Sequence, residues 1–227
     1  MKKVQKICII SLIIEKRMIN PMKGAMYMKI VTINREYGSG GRRVAFMLSE
    51  KLGISCYDSN LLMAAGERYG INPDFPEGFD EQKSISLLYG ISLIANSWAD
   101  EDRIMLPYRV YQAQVEAIRR LEKEAPCIFV GCCANEVLKD EENVLRVFIY
   151  ASDMEERIER ISRIEGISRE EAAEHIIRTD RQRRDDYYFH TGQEWDKKEN
   201  YDICLNTSTL GMEGCVNIIA ALAKKTS

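Results

Sequence analysis

Apolar positions along this chain fall into short β-branched runs separated by longer stretches at helical spacing. Residues 29–34 (KIVTIN) predict a first strand. After a loop over residues 35–43 (REYGSGGRR), Val44, Leu48 and Leu52 recur at helical spacing, and Gly53 stops the helix. Residues 54–57 predict a second strand, with Asp58 and Ser59 placed to cap the helix behind it. Strand, glycine-rich turn, helix and strand in this order form a βαβ opening, which favours a parallel sheet.

Residues 71–80 (INPDFPEGFD) predict a loop, and residues 81–124 carry helical pattern only, broken near 100–107. This stretch predicts a helical insert on the core, over about residues 66–125. Residues 127–130 predict a third strand stopped by Gly131, residues 145–150 a fourth and residues 201–205 a fifth. Ser152-x-x-Glu155 and Ser168-x-x-Glu171 predict two capping boxes, with Gly166 between the helices. Residues 185–200 are polar and aromatic without a clean period, and residues 212–223 predict a closing amphipathic helix. Alternating strands and helices place the chain in the doubly wound α/β class.

The 227 residues, 45% hydrophobic and 30% charged, suit one large α/β domain. A net charge of -3 leaves no global basic surface for nucleic acid. The two histidines, His175 and His190, exclude a His-rich metal site, and no metal ligands are assigned. Seven cysteines, an odd number without a C-x-x-C pair, read as free thiols in a reducing cytoplasm. The apolar run over residues 7–14 is too short to span a membrane, and no small-x-small cleavage site follows it. Residues 1–27 are therefore expected to form a leader outside a single domain over residues 28–227, with no membrane partner. Nothing in the composition signals an oligomeric state.

The candidate chemistry starts at Gly38, Ser39, Gly40 and Gly41, between a strand and a helix. Glycines let the backbone curl so that successive N–H groups face one anion, and the helix N-terminus adds its dipole. Arg42 and Arg43 open that helix with fixed positive charge. The loop departs from G-x-x-x-x-G-K-[ST]: aligned without gaps, Gly41 stands at the lysine position and Arg43 at a magnesium-binding hydroxyl position. Arg42 is expected to take over part of the lysine's charge role.

A second cluster is Arg178, Arg181 and Arg184, with Arg183 adjacent. At i, i+3 and i+6 the three share a helix face suited to a polyphosphate. Pairing with Asp180, Asp185 and Asp186 on a solvated helix is the competing reading. Arg157, Arg160 and Arg163, beside Glu155, Glu156 and Glu159, read as surface ion pairs. Trp195 and residues 187–189 suit either base stacking or packing.

The strings TINREYGSGGRRVA, LGISCYDSNLL, CIFVGCCANEVL, LRVFIYAS and TGQEWDKKENYDICLNTSTLG resemble the cytidylate-kinase-like family, from Met28 to about Lys224. The resemblance implies a P-loop nucleotide-binding fold with a five-stranded parallel sheet, a monophosphate-binding insert and a lid over about residues 175–200. It also implies ATP-dependent, Mg²⁺-assisted phosphoryl transfer to a nucleoside monophosphate, of CMP or dCMP type. By the same resemblance Gly38, Ser39, Gly40, Gly41 and Arg42 match the phosphate loop, the arginine-rich segment matches the lid, and Asp58 and Gly131 lie near the acceptor. Relatives commonly have an arginine after that glycine, where this chain has Cys132. With the lysine also missing, a non-catalytic module that binds a nucleotide or phosphate ligand is the alternative.

Overall fold

A computed structural model describes residues 30–59 and 101–224. The expected leader over residues 1–27 and residues 60–100, which hold the first part of the insert expected over about 66–125, lie outside the described residues.

The sheet follows from short, largely apolar runs whose central strands are buried on both faces. β1 (Ile30–Arg35), β2 (Ser55–Tyr57), β3 (Cys127–Val130), β4 (Val144–Tyr150) and β5 (Ile203–Asn206) form one parallel sheet in the order β2-β3-β1-β4-β5. Successive side chains point to opposite faces, so a strand buried on both sides reads as a continuous apolar run. In β3, Ile128 and Val130 join one core while Cys127 and Phe129 join the other.

α1 (Gly41–Leu52) and α6 (Thr207–Ala223) cover the first face with Val44, Leu48, Val216 and Ile219. α6 is two helical pieces, because Gly211 is non-helical (φ 66°, ψ 165°); the expected closing helix over residues 212–223 is the longer piece. α2 (Glu101–Glu124) covers the second face with Ala113, Ala117, Ile118 and Leu121, helped by the short α3 (Ala134–Val137). The expected break near 100–107 does not appear within α2, which runs through Pro107.

α4 (Met154–Glu165) and α5 (Arg169–Thr191) pack on each other through Ile158, Ile161, Ala172 and Ile176. Ser168 forms the expected capping box: its side chain accepts from the Glu171 N–H, and the Glu171 side chain accepts from the Ser168 N–H. The other box is corrected. Asp153 caps α4 in place of Ser152, accepting from the Glu155 and Glu156 N–H groups. A carboxylate one residue nearer the helix reaches the first-turn amides directly and adds a favourable charge to the helix dipole.

Buried polar groups fix where α5 lies. Asn34 Nδ2 donates to Asn135 Oδ1 and to Tyr201 Oη, both at 3.0 Å, and Asn135 Nδ2 donates to Tyr187 Oη at 2.7 Å. Tyr187, Trp195, Tyr201 and Phe148 form a small aromatic core around this chain of bonds. Tyr187 and Trp195 are thus packing residues, whereas Tyr188 and Phe189 face solvent.

Candidate phosphate-binding site

The loop after β1 is built by its own backbone. Gly38 and Gly40 take φ of 78° and 82°, where glycine carries no Cβ penalty. A Cβ on Gly38 would also sit 3.1 Å from the Arg157 backbone oxygen, so the loop lies directly on α4. Ser39 is fully buried; its hydroxyl donates to the Glu36 carbonyl at 2.8 Å and accepts from the Gly41 N–H at 3.3 Å. Thr207 Oγ1 donates to the Ser39 carbonyl at 2.7 Å and fastens the loop to the start of α6. Gly40 caps α1 without a side-chain hydrogen bond, and the first turn of α1 holds no acidic residue. The first-turn amides of a helix lack intrahelical partners, and of these the Gly41 N–H goes to Ser39, so the amides behind it are the ones that can receive an anion.

Guanidiniums surround the loop. Arg42 donates through Nε (3.1 Å) and Nη2 (2.7 Å) to Asp58 Oδ2, with its own side chain largely exposed and Asp58 buried. Asp58 thus meets the loop from the end of β2; the helix it was expected to cap lies outside the described residues. Arg43 is exposed beside the loop.

Arg157 corrects the surface-pair reading. It is 4% exposed, donates to the Tyr37 carbonyl at 2.8 Å and pairs with Glu36 (3.2 Å) and Asp180. Arg160 donates to the Gly38 carbonyl, and Arg163 remains exposed. Buried beneath the loop, Arg157 joins carbonyl and carboxylate partners that are distant in sequence, which the local acidic neighbours gave no hint of.

Of the arginine cluster on α5, Arg178 and Arg181 project into solvent. Arg184 pairs with Asp196 at 3.1 Å and lies over the Trp195 ring. The residue that reaches the loop is their neighbour Arg183, which donates to the Arg35 carbonyl at 2.7 Å and stacks on Tyr37. Burial, and the Arg35 charge, push the Arg183 pKa down to about 9, which still leaves it protonated at neutral pH. Burial raises the Glu36 carboxyl above its usual range, against the pull of the Ala151 N–H and Arg157.

On the far side of the loop, β3 ends in Gly131, Cys132 and Cys133, with φ of 78°, 56° and 51°. Two consecutive non-glycine residues in the left-handed region are strained, a cost found most often near functional sites. Burial pushes the Cys132 thiol up to about 12, with Arg35 opposing it. Cys56, Cys127, Cys132, Cys133, Cys204 and Cys215 are all free.

A glycine loop at the carboxyl end of the first strand of a parallel sheet, opening a helix and ringed by guanidiniums, defines a P-loop kinase-like α/β protein. The chain belongs to the cytidylate kinase-like family, whose model matches residues 30–209. Membership supports nucleotide-dependent phosphoryl transfer as the general class of chemistry. Among solved structures, the chain is similar to an uncharacterized protein from Eubacterium ventriosum (TM-score 0.65, 22% identity, covering 86% of this chain and 98% of that one). It is also similar to TT1252 from Thermus thermophilus (TM-score 0.50, 21% identity, 88% and 100% covered). A shikimate kinase from Bacteroides thetaiotaomicron matches with a TM-score of 0.49 and 11% identity over 86% of this chain and 98% of its own. No curated protein matches the chain. Among the described residues no helix is long and apolar enough to cross a membrane.

Proposed function

We propose that this chain transfers the γ-phosphoryl group of ATP to a pyrimidine nucleoside monophosphate, CMP or dCMP, in the cytoplasm. The observation that carries the reading is the Gly38–Gly41 turn that opens α1 at the end of β1, braced through neighbouring carbonyls by Arg157, Arg160 and Arg183 and with the largely exposed Arg42 at its rim. Phosphoryl transfer needs its charge positioned and neutralised more than it needs covalent chemistry, and amides with guanidiniums supply that. Gly38, Ser39, Gly40 and Gly41 would cradle the donor phosphates, with Arg42 and Arg43 beside them. Asp58, Gly131 and Cys132 would line the acceptor side.

The loop offers no spare hydroxyl for a metal: Ser39 Oγ is engaged with Glu36 and Gly41, and Arg43 stands where the hydroxyl would be. Mg²⁺ on this reading arrives with ATP, held by phosphate oxygens and water. Arg178, Arg181 and Arg184 would serve a lid made of the second half of α5 and the segment to residue 200. Nucleotide would then raise hydrogen-exchange protection across residues 175–200, and unchanged protection with ATP bound would remove the lid from the reading.

The second reading, a binding module without turnover, is favoured by Gly41 at the lysine position and by the engagement of Arg42 with Asp58. Purified protein with Mg²⁺-ATP and a panel of CMP, dCMP, UMP and AMP separates the two. ADP formation that depends on CMP or dCMP supports transfer. ATP binding without turnover on any acceptor leaves the module.

A further inference from the structure

Arg35 is the last residue of β1, and by strand alternation it starts on the same face as Val31 and Ile33, beneath α1. Its stem fills the space under the loop: a Cβ on Gly41 would lie 2.5 Å from the Arg35 Cβ. A side chain at position 41 is therefore incompatible with this placement of Arg35, and the missing lysine and the buried arginine are two aspects of one arrangement.

From there the guanidinium crosses to the end of β3. A Cβ on Gly131 would lie 2.5 Å from Arg35 Nη1, so glycine at 131 leaves the room the guanidinium occupies. Arg35 Nε is buried and has no hydrogen-bond partner. The charged groups that act on it are Asp58, Arg42 and Asp180, the Cys132 thiol being neutral, and Asp58 and Asp180 are already engaged by Arg42 and by Arg157 and Arg183. A half-buried guanidinium whose Nε is cut off from water without a partner costs free energy unless an anion completes it. It also lies at the carboxyl ends of β1 and β3, which are neighbours in the sheet although the chain leaves them for opposite edges. Open parallel sheets bind ligands in the crevice at such a point.

We propose that Arg35 is the residue that binds the acceptor's phosphate, in the crevice bounded by Gly131, Cys132, Asp58 and Arg42. This deepens the phosphoryl-transfer reading and rests on it. The ligand group is a phosphate monoester dianion, held by Arg35 from below. The donor is left to the rest of the loop and the first turn of α1, since the Ser39 and Gly41 N–H groups are taken by the Glu36 carbonyl and by Ser39 Oγ.

The test is calorimetry on the full chain with CMP, cytidine, inorganic phosphate and ATP as probes, comparing wild type with Arg35→Gln and Arg35→Lys. Arg35→Gln is expected to weaken CMP binding about ten- to hundredfold, as loss of a charge-assisted contact does, while ATP affinity changes less than about threefold. Arg35→Lys is expected to recover part of the CMP affinity, since it restores charge without the planar fork. Equal CMP affinity in Arg35→Gln and wild type would overturn the proposal and leave phosphoryl transfer untouched. If wild type binds inorganic phosphate through Arg35 but not CMP, the anion site stands and the pyrimidine acceptor falls. If wild type binds neither, the proposal falls. Should Arg35→Gln fail to fold, the lysine variant decides: unchanged phosphate and CMP affinity in it counts against a forked guanidinium contact.

Discussion

Arg157 of α4 and Asp180 of α5 form an ion pair with both side chains buried, and the same carboxylate accepts from the Tyr37 N–H at 2.7 Å. Two helices and the glycine loop thus meet on one aspartate. Removing it leaves Arg157 buried with Glu36 as its remaining carboxylate and strips an acceptor from a loop amide. Breaking one side of a buried pair costs about 3–5 kcal/mol. Asp180→Ala is expected to lose about 3 kcal/mol in urea unfolding, Glu36 retaining part of the compensation. A loss below about 1 kcal/mol would mean that the pair is incidental.

Arg42 and Arg43 are neighbours with different surroundings. Arg42 leans on Asp58 at the loop, while the next residue on a helix points about 100° away. Arg42→Ala is expected to weaken ATP about ten- to hundredfold with the melting temperature nearly unchanged, and Arg43→Ala to weaken it several-fold less. Equal losses in the two variants, or none in Arg42→Ala, would count against Arg42 as the substitute for lysine.

Asp186 should make stability depend on pH. Burial, with Asp185 adding to it, raises its carboxyl to about 7, and its Oδ1 is buried without a partner. The folded state then keeps a proton that the unfolded chain releases near its ordinary value of 3.8. As pH rises from about 4 to about 7 the unfolded state binds fewer protons, so this residue lowers stability across that window and adds no further change above it. Asp186→Asn is expected to be more stable than wild type by about 1–2 kcal/mol at pH 8 and equal to it near pH 4. Parallel stability-pH curves for the two proteins would refute the assignment.

The cap of α4 offers a local check. Asp153→Ala is expected to cost about 1 kcal/mol, as loss of an N-cap does. Ser152→Ala removes a hydroxyl that accepts from Asn206 in an exposed setting and should cost less. The two denaturation midpoints, read side by side, decide which residue caps the helix.

What the sequence made legible was what local pattern encodes. The short apolar runs marked all five strands to within two residues, because the sheet lies between two helical layers and supplies most of the core side chains itself. The Ser168 box could be read because its partner Glu171 is three residues away. Arg157 could not, since its partners Tyr37 and Asp180 lie 120 and 23 residues off, and a regular arginine spacing beside glutamates looks the same on a solvated helix. Arg183 was hidden for a similar reason: helical spacing grouped Arg178, Arg181 and Arg184, but the packing of α5 on α4 turned the residue between them inward. Arg35 carried no local signal, being one residue of a loop string until the sheet brought it to Gly131.

The bond from Thr207 to the Ser39 carbonyl joins the first loop of the described fold to its last helix, and a Cβ on Gly40 would lie 2.8 Å from the Met212 side chain. During synthesis the glycine turn emerges early, yet the residues that brace it are made more than 160 positions later. Until they arrive, the first βαβ unit has no α6 to cover its sheet face and no hydroxyl to hold its curled backbone. A nascent chain therefore carries the glycine turn unbraced until Thr207 has been made and α6 has packed on the sheet.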